Sequence, residues 1–145
     1  MSNKLVKPQQ QNNVIVVDDG SKVYDIVNKR GKKLGEFEFR PSDTNIVKRY
    51  EEVVDFFNNF SLPEDSEKAM QEAESQMVEK MSYLIGGDAG DAFFSIMGPF
   101  SALASGELFV ENVLASIAKV IENELSIRTK RVQRRMNKYV AKYHK

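Results

Sequence analysis

Residues 34–43 read LGEFEFRPSD, and within them the hydrophobic period changes from that of a strand to that of a helix. Phe37 and Phe39 alternate with two glutamates, which is typical of a half-buried strand. The residue before Pro41 avoids the helical region, and Ser, Asp or Thr after it can cap a helix. The stretch therefore predicts that β structure ends and α structure begins here.

Upstream of this point the sequence predicts further strands. Val14–Val17 is a β-branched run, and the Asp-Gly pair that follows it is favoured in tight hairpin turns. Over residues 22–27, Tyr24 and Ile26 alternate with Val23, Asp25 and Val27, which predicts a strand before a second turn rich in charge. We expect a three-stranded antiparallel meander over residues 14–40, with residues 1–13 as a flexible N-terminal tail.

Downstream, residues 44–125 are expected to form a helical body. Apolar residues recur every three or four positions between Ile46 and Phe60, which predicts an amphipathic helix of about four turns. Ser61-Leu62-Pro63-Glu64 fits a capping box for a second helix, and Gly86-Gly87 would end that helix.

The last third of the chain predicts a corner followed by a long helical pattern. A short helix and a tight corner are expected around Phe93 and Phe94. From Glu107 the helical pattern continues to the last residue, either as one helix or as two with a bend near Ser126. The whole sequence therefore predicts a single α+β domain over residues 14–145, in which the meander precedes about four helices.

Composition argues against several chemical classes. The 145 residues include no Cys and a single His, which disfavours disulfide scaffolds, thiolate metal sites and His-based catalytic units. No phosphate-binding glycine loop, nucleophile elbow or metalloprotease motif is present. No apolar run is long enough to span a membrane. We therefore expect a non-enzymatic protein with no cofactor, no metal and no membrane partner.

Asp88 and Asp91 are the most suggestive carboxylates. They lie three positions apart in a glycine-rich corner, where they could share a cation or act as acid and base. Asp before a helix is more often a cap, and we expect Asp91 to cap the helix containing Phe93 and Phe94.

The net charge of zero conceals two blocks of opposite sign. Residues 61–125 contain twelve acidic and three basic side chains, whereas residues 126–145 contain eight basic and no acidic ones. Such blocks predict pairing within one chain or head-to-tail attraction between copies. The basic C-terminal helix also has an apolar stripe, so protein docking, nucleic-acid binding and a solvated basic face all remain open.

Two sets of residues are candidates for partner contact. Methionines spaced along the second helix fit either a core or an adaptable surface for an apolar client. An apolar client would contact Tyr50, Phe57, Met77 and Met81. Three arginines, Arg131, Arg134 and Arg135, would meet acidic residues of a neighbouring copy, namely Glu64, Asp65, Glu67, Glu72 or Glu74.

Three stretches carry a resemblance of layout to a known family. They are residues 34–43, the helix over Tyr50–Phe60, and GGDAGDAFF at residues 86–94 leading into FVENVL at residues 109–114. In this order they resemble the small tail assembly chaperones of long-tailed bacteriophages, particularly those of Gram-positive hosts. The resemblance covers about residues 22–125 and leaves the basic segment 126–145 unmatched.

The resemblance implies a protein that acts in the host cytoplasm during infection. Such a chaperone binds the long helical tape measure protein, self-associates around it and keeps it in solution until tail-tube subunits polymerise. The tail-tube protein is then a possible further partner. Two alternatives stay open: a structural component of the tail or head–tail connector, and a nucleic-acid-binding module that uses the basic C-terminal helix.

Overall fold

The computed structural model describes residues 13–63 and 66–143. Within the last helix, side chains are described up to Ile127 and again at Lys130 and Arg134. The predicted tail, apart from Asn13, and the residues Glu64 and Asp65 lie outside the described residues.

Among the described residues two strands precede four helices, which confirms the predicted α+β class. The strands are β1 (Lys22–Val27) and β2 (Lys33–Phe39). The helices are α1 (Ile46–Asn58), α2 (Glu67–Ile85), α3 (Ala89–Phe94) and α4 (Phe109–Tyr143).

The sheet is an antiparallel hairpin of two strands, not the expected meander of three. Lys22 pairs with Phe39 at one end, and Val27 pairs with Lys33 at the turn. At the turn Asn28 Oδ1 accepts the backbone N–H groups of residues 30 and 32, and Gly31 has a φ of +83° that favours glycine.

Val14–Val17 forms no strand, so the prediction of a first strand is wrong. The side chain of Asp18 accepts the N–H of Gly20 at 2.9 Å, and that of Asp19 accepts the N–H of Ser21 at 3.0 Å. Asp19 also forms an ion pair with Arg40, which follows β2. These contacts hold Asp18 and Asp19 in a turn near Arg40, at the end of β2. Residues 14–17 therefore do not fold back to pair with β1.

The starts of α1 and α2 depend on side chains that contact the backbone. Asp43 accepts the N–H of Asn45 at 2.9 Å and a hydrogen bond from Arg49 at 3.0 Å. Both donors stabilise the carboxylate, which lowers the pKa of Asp43. The expected capping box at Ser61 is wrong: the N-cap of α2 is Ser66, whose hydroxyl accepts the N–H of Ala69 at 3.2 Å.

The end of α2 and the start of α3 follow the glycine pattern of the sequence. Gly86 and Gly87 have φ values of +114° and +57°, as expected at a helix C-terminus. Gly90 then lets α3 cross α2 closely, because a Cβ there would lie 2.1 Å from the carbonyl oxygen of Val78.

The core lies between α2, α4 and the inner face of the hairpin. Met77, Met81 and Leu84 of α2 are buried, as the apolar stripe predicts. α4 presents four buried positions to them. These are Val110, Val113, Ile117 and Ile121. α4 is one continuous helix of 35 residues, which agrees with the version of the prediction without a bend near Ser126.

Candidate binding groove

An apolar groove opens between the hairpin and the first half of α4. Its volume is about 620 Å³, within the range of protein ligand pockets. We call it the hairpin groove. It is lined chiefly by Tyr24, Ile26, Val27, Leu34 and Phe37 of the hairpin, Phe93, Ile96, Met97 and Leu103 of α3 and the corner after it, and Phe109, Val113, Ile117 and Val120 of α4.

The period of each element directs these side chains into the groove. Tyr24 and Ile26 alternate with exposed residues along β1, so both lie on the inner face of the hairpin. Phe37 stacks on Tyr24 with ring centroids 5.6 Å apart and contacts Phe93 with centroids 5.0 Å apart. The aromatic cluster fixes the hairpin against α3, while the side of β1 that faces α4 stays open.

The polar groups of the groove lie at its rim. Asp25 forms an ion pair with Lys33 at 3.4 Å, and Glu107 accepts a hydrogen bond from Asn112 at 3.3 Å. Burial raises the pKa of the Tyr24 phenol. An apolar floor with a few polar rim groups is suited to binding an apolar segment and setting its orientation.

The predicted client residues separate into two groups. Met77 and Met81 are buried in the core, which fits the alternative that these methionines fill the interior. In this fold neither side chain is accessible to a client. Tyr50 and Phe57 of α1 are half-buried and pack against the core. Tyr50 also borders a shallow surface depression with Glu51 and Asp55.

The predicted electrostatic contacts lie on α2 and the far end of α4. Glu67 and Glu72 are exposed on α2, and Glu74 is half-exposed. Arg134 is exposed on α4. The side chains of Arg131 and Arg135 lie outside the described ones, as do Glu64 and Asp65.

The two aspartates of the glycine-rich corner do not cap α3 with their side chains. Asp88 occupies the N-cap position without a side-chain capping bond, and Asp91 lies inside the first turn. The prediction that Asp91 is the cap is therefore wrong. Instead, the hydroxyl of Ser82 on α2 accepts the N–H of Gly90 at 2.8 Å. In the part of the chain that the structure describes, no three His, Cys, Asp or Glu side chains are grouped so as to hold a metal ion.

Sequence reasoning identified the core helices but not the hairpin groove. The alternation of Tyr24, Ile26 and Phe37 did indicate one buried face of the hairpin. It gave no information on the distance between that face and α4, since the two are separated by about 80 residues of chain.

Comparisons with protein-family models, curated protein sequences and solved structures find no match to this chain. Over residues 13–63 and 66–143, no helix is both long and apolar enough to cross a membrane.

Proposed function

We propose that this chain is a non-enzymatic binding protein that holds an apolar segment of a long client in the hairpin groove. The observation that carries the proposal is the groove itself, an open apolar surface between β1 and α4. Following the resemblance of residues 22–125, we propose that the client is a phage tape measure protein and that the chain is its assembly chaperone in the host cytoplasm.

The volume and the apolar lining of the groove favour a helix as the client segment that it binds. Amphipathic helices bind by placing apolar side chains, spaced three and four residues apart, into a groove of this kind. A tape measure protein offers many such segments along one molecule. Repeated binding along its length would cover surfaces that otherwise cause aggregation.

The acidic and basic blocks support a second part of the proposal, self-association. Glu67 and Glu72 present acidic charge on α2, and Arg134 presents basic charge on α4. Contacts between these different surfaces of neighbouring copies would be heterologous, so they would extend along a client and not close as a dimer.

Leu34 and Leu62 provide a matched pair for testing the groove. Leu34 lines the groove and is 38% exposed, whereas Leu62 is 43% exposed and does not line it. Binding is measured with fluorescent peptides that tile the tape measure protein of the same genome. We expect Leu34→Glu to weaken binding by about tenfold or more, since burial of a leucine contributes about 2 kcal/mol. Leu62→Glu should leave the Kd within about twofold of the wild-type value.

Three results would contradict this proposal in different ways. Equal loss of binding in both leucine variants would show that the hairpin groove is not the site. Detection of the chain by mass spectrometry in purified particles would favour the structural tail or connector alternative. Binding of DNA or RNA that weakens steeply with salt and requires Arg134 would favour the nucleic-acid alternative.

A further inference from the structure

Val14–Val17 is an apolar segment that is exposed to solvent and belongs to no strand or helix. The four side chains are between 45% and 88% exposed, and none of them is charged. β-branched residues of this kind favour strands, and such a run in the open is a template for pairing with another strand.

The segment is held away from β1 of its own chain. Asp19 joins Arg40 through both the Nε and Nη2 atoms of the guanidinium, the former at 3.1 Å. Gly20 lies close to the turn between β2 and α1, because a Cβ on it would be 3.2 Å from the Ser42 hydroxyl. Reversal of residues 14–17 onto β1 would have to break these contacts.

An acceptor for an added strand lies along the hairpin groove. The sheet contains only β1 and β2 among the described residues, so one edge of β1 has no strand beside it. Tyr24–Val27 of β1 line the groove. Four residues of strand span about 13 Å, so a four-residue donor matches this four-residue acceptor.

We infer that, in the absence of client, the groove of one copy accepts Val14–Val17 of a second copy as a third strand beside β1. Two of the four donor side chains would face the groove and two would face outward, as the period of a strand requires. In the parallel direction, Asp18 of the donor reaches the basic turn of the acceptor, which carries Lys29, Arg30 and Lys32. Charge complementarity therefore favours this direction.

The contact joins two different surfaces, so a pair of copies keeps one free donor segment and one free acceptor groove. Such contacts propagate as an open chain. Displacement of the donor strand by a client segment would couple client binding to reorganisation of the assembly, and this step rests on the proposed function. The strand exchange itself is independent of any client.

The absence of cysteine makes disulfide trapping a direct test. One preparation carries Ile15→Cys or, for the opposite face of the strand, Val16→Cys, and a second carries Ser116→Cys, at a serine of α4 that lines the groove. Mixed with Ser116→Cys under mild oxidation without client, one of the two donor variants should give a cross-linked dimer. The matched control replaces Ser116→Cys with Ser75→Cys, an exposed serine on α2 outside the groove, and should give at least tenfold less dimer.

The other outcomes overturn the inference. A dimer formed by Ile15→Cys copies alone, in preference to the mixture, would show that the segment pairs with its own counterpart. A chain carrying both cysteines that cross-links only within itself would show that the segment folds back. Equal yields with Ser116→Cys and Ser75→Cys would show non-specific collision.

A second measurement tests whether alternate side chains of residues 14–17 face the groove. Its variants change exposed residues and none of the core. The variants Ile15→Asn/Val17→Asn and Val14→Asn/Val16→Asn each remove two exposed apolar side chains. Light scattering at high salt, which screens the contacts between acidic and basic surfaces, should show that one pair lowers the oligomer mass to that of a monomer and the other leaves most of it. Equal effects, or a monomeric wild-type chain, would refute strand addition. Peptide binding by the monomeric variant is scored separately, so loss of exchange and loss of client binding are distinguished.

Discussion

The crossing of α2 and α3 differs sharply in packing from the space between the hairpin and α4. At the crossing the helices touch through Gly90, and Met81 beside it is fully buried. Between the hairpin and α4, the same core opens into a groove of about 620 Å³. The comparison shows that one side of the molecule is closely packed, whereas the other leaves apolar surface open.

Met81→Ala, in the closely packed part of the molecule, should cause the largest loss of stability. Removal of a fully buried methionine leaves a cavity, and the free energy of unfolding should fall by about 3 kcal/mol. Met70→Ala, at a half-buried position of the same helix, should reduce it by about 1 kcal/mol. Urea titration followed by circular dichroism measures both variants. A loss of client binding by Met81→Ala with unchanged stability would instead support the surface role considered for this residue.

Gly90→Ala should cause the next largest loss of stability. The added Cβ would meet the Val78 carbonyl oxygen at 2.1 Å and the Ser82 hydroxyl at 2.7 Å, so α3 would have to move away from α2. We expect a loss of about 2 kcal/mol, measured by the same titration. Gly98→Ala is the control, because its Cβ would meet only side-chain atoms, at 3.4 Å and 3.6 Å. Equal stability of the two variants would show that the crossing relaxes easily.

The sequence predicted the buried face of α2 better than the arrangement of the chain around the hairpin. The stripe that includes Met77, Met81 and Leu84 predicted which face of α2 is buried, and Gly86-Gly87 predicted where it ends. These features depend on local spacing. The strand predicted at Val14–Val17 failed because Asp19 contacts Arg40, 21 positions away, and no local pattern specifies that contact.

The groove could not be predicted from spacing at all. Tyr24 and Ile26 alternate along the strand predicted over residues 22–27, but the gap beside them depends on how far the hairpin lies from Ile117 and Val120. The hairpin is also in contact with α3, a third element, through Phe37 and Phe93, and local spacing does not specify that contact. The methionines were weighed as client contacts because a stripe of this kind is compatible with both a core and a surface.

Glu124→Gln should reduce the free energy of unfolding least among these variants. It tests what holds the hairpin against α4. Lys22 Nζ of β1 lies 2.6 Å from Glu124 Oε1 of α4, the one ion pair between these two elements among the described side chains. Lys22 is 57% exposed, so solvent screens the pair and its contribution should be about 0.5 kcal/mol. Added salt should reduce the difference from wild type further.

Glu122→Gln, at an exposed position of the same helix, is the control for the loss of one negative charge. If the hairpin is held by its aromatic contacts, Glu124→Gln and Glu122→Gln should unfold at nearly the same urea concentration. They should also bind client peptides with similar Kd. A loss of more than about 1.5 kcal/mol in Glu124→Gln alone would exceed the usual contribution of a partly exposed pair. It would then follow that the ion pair, and not the contact of Phe37 with Phe93, sets the width of the groove.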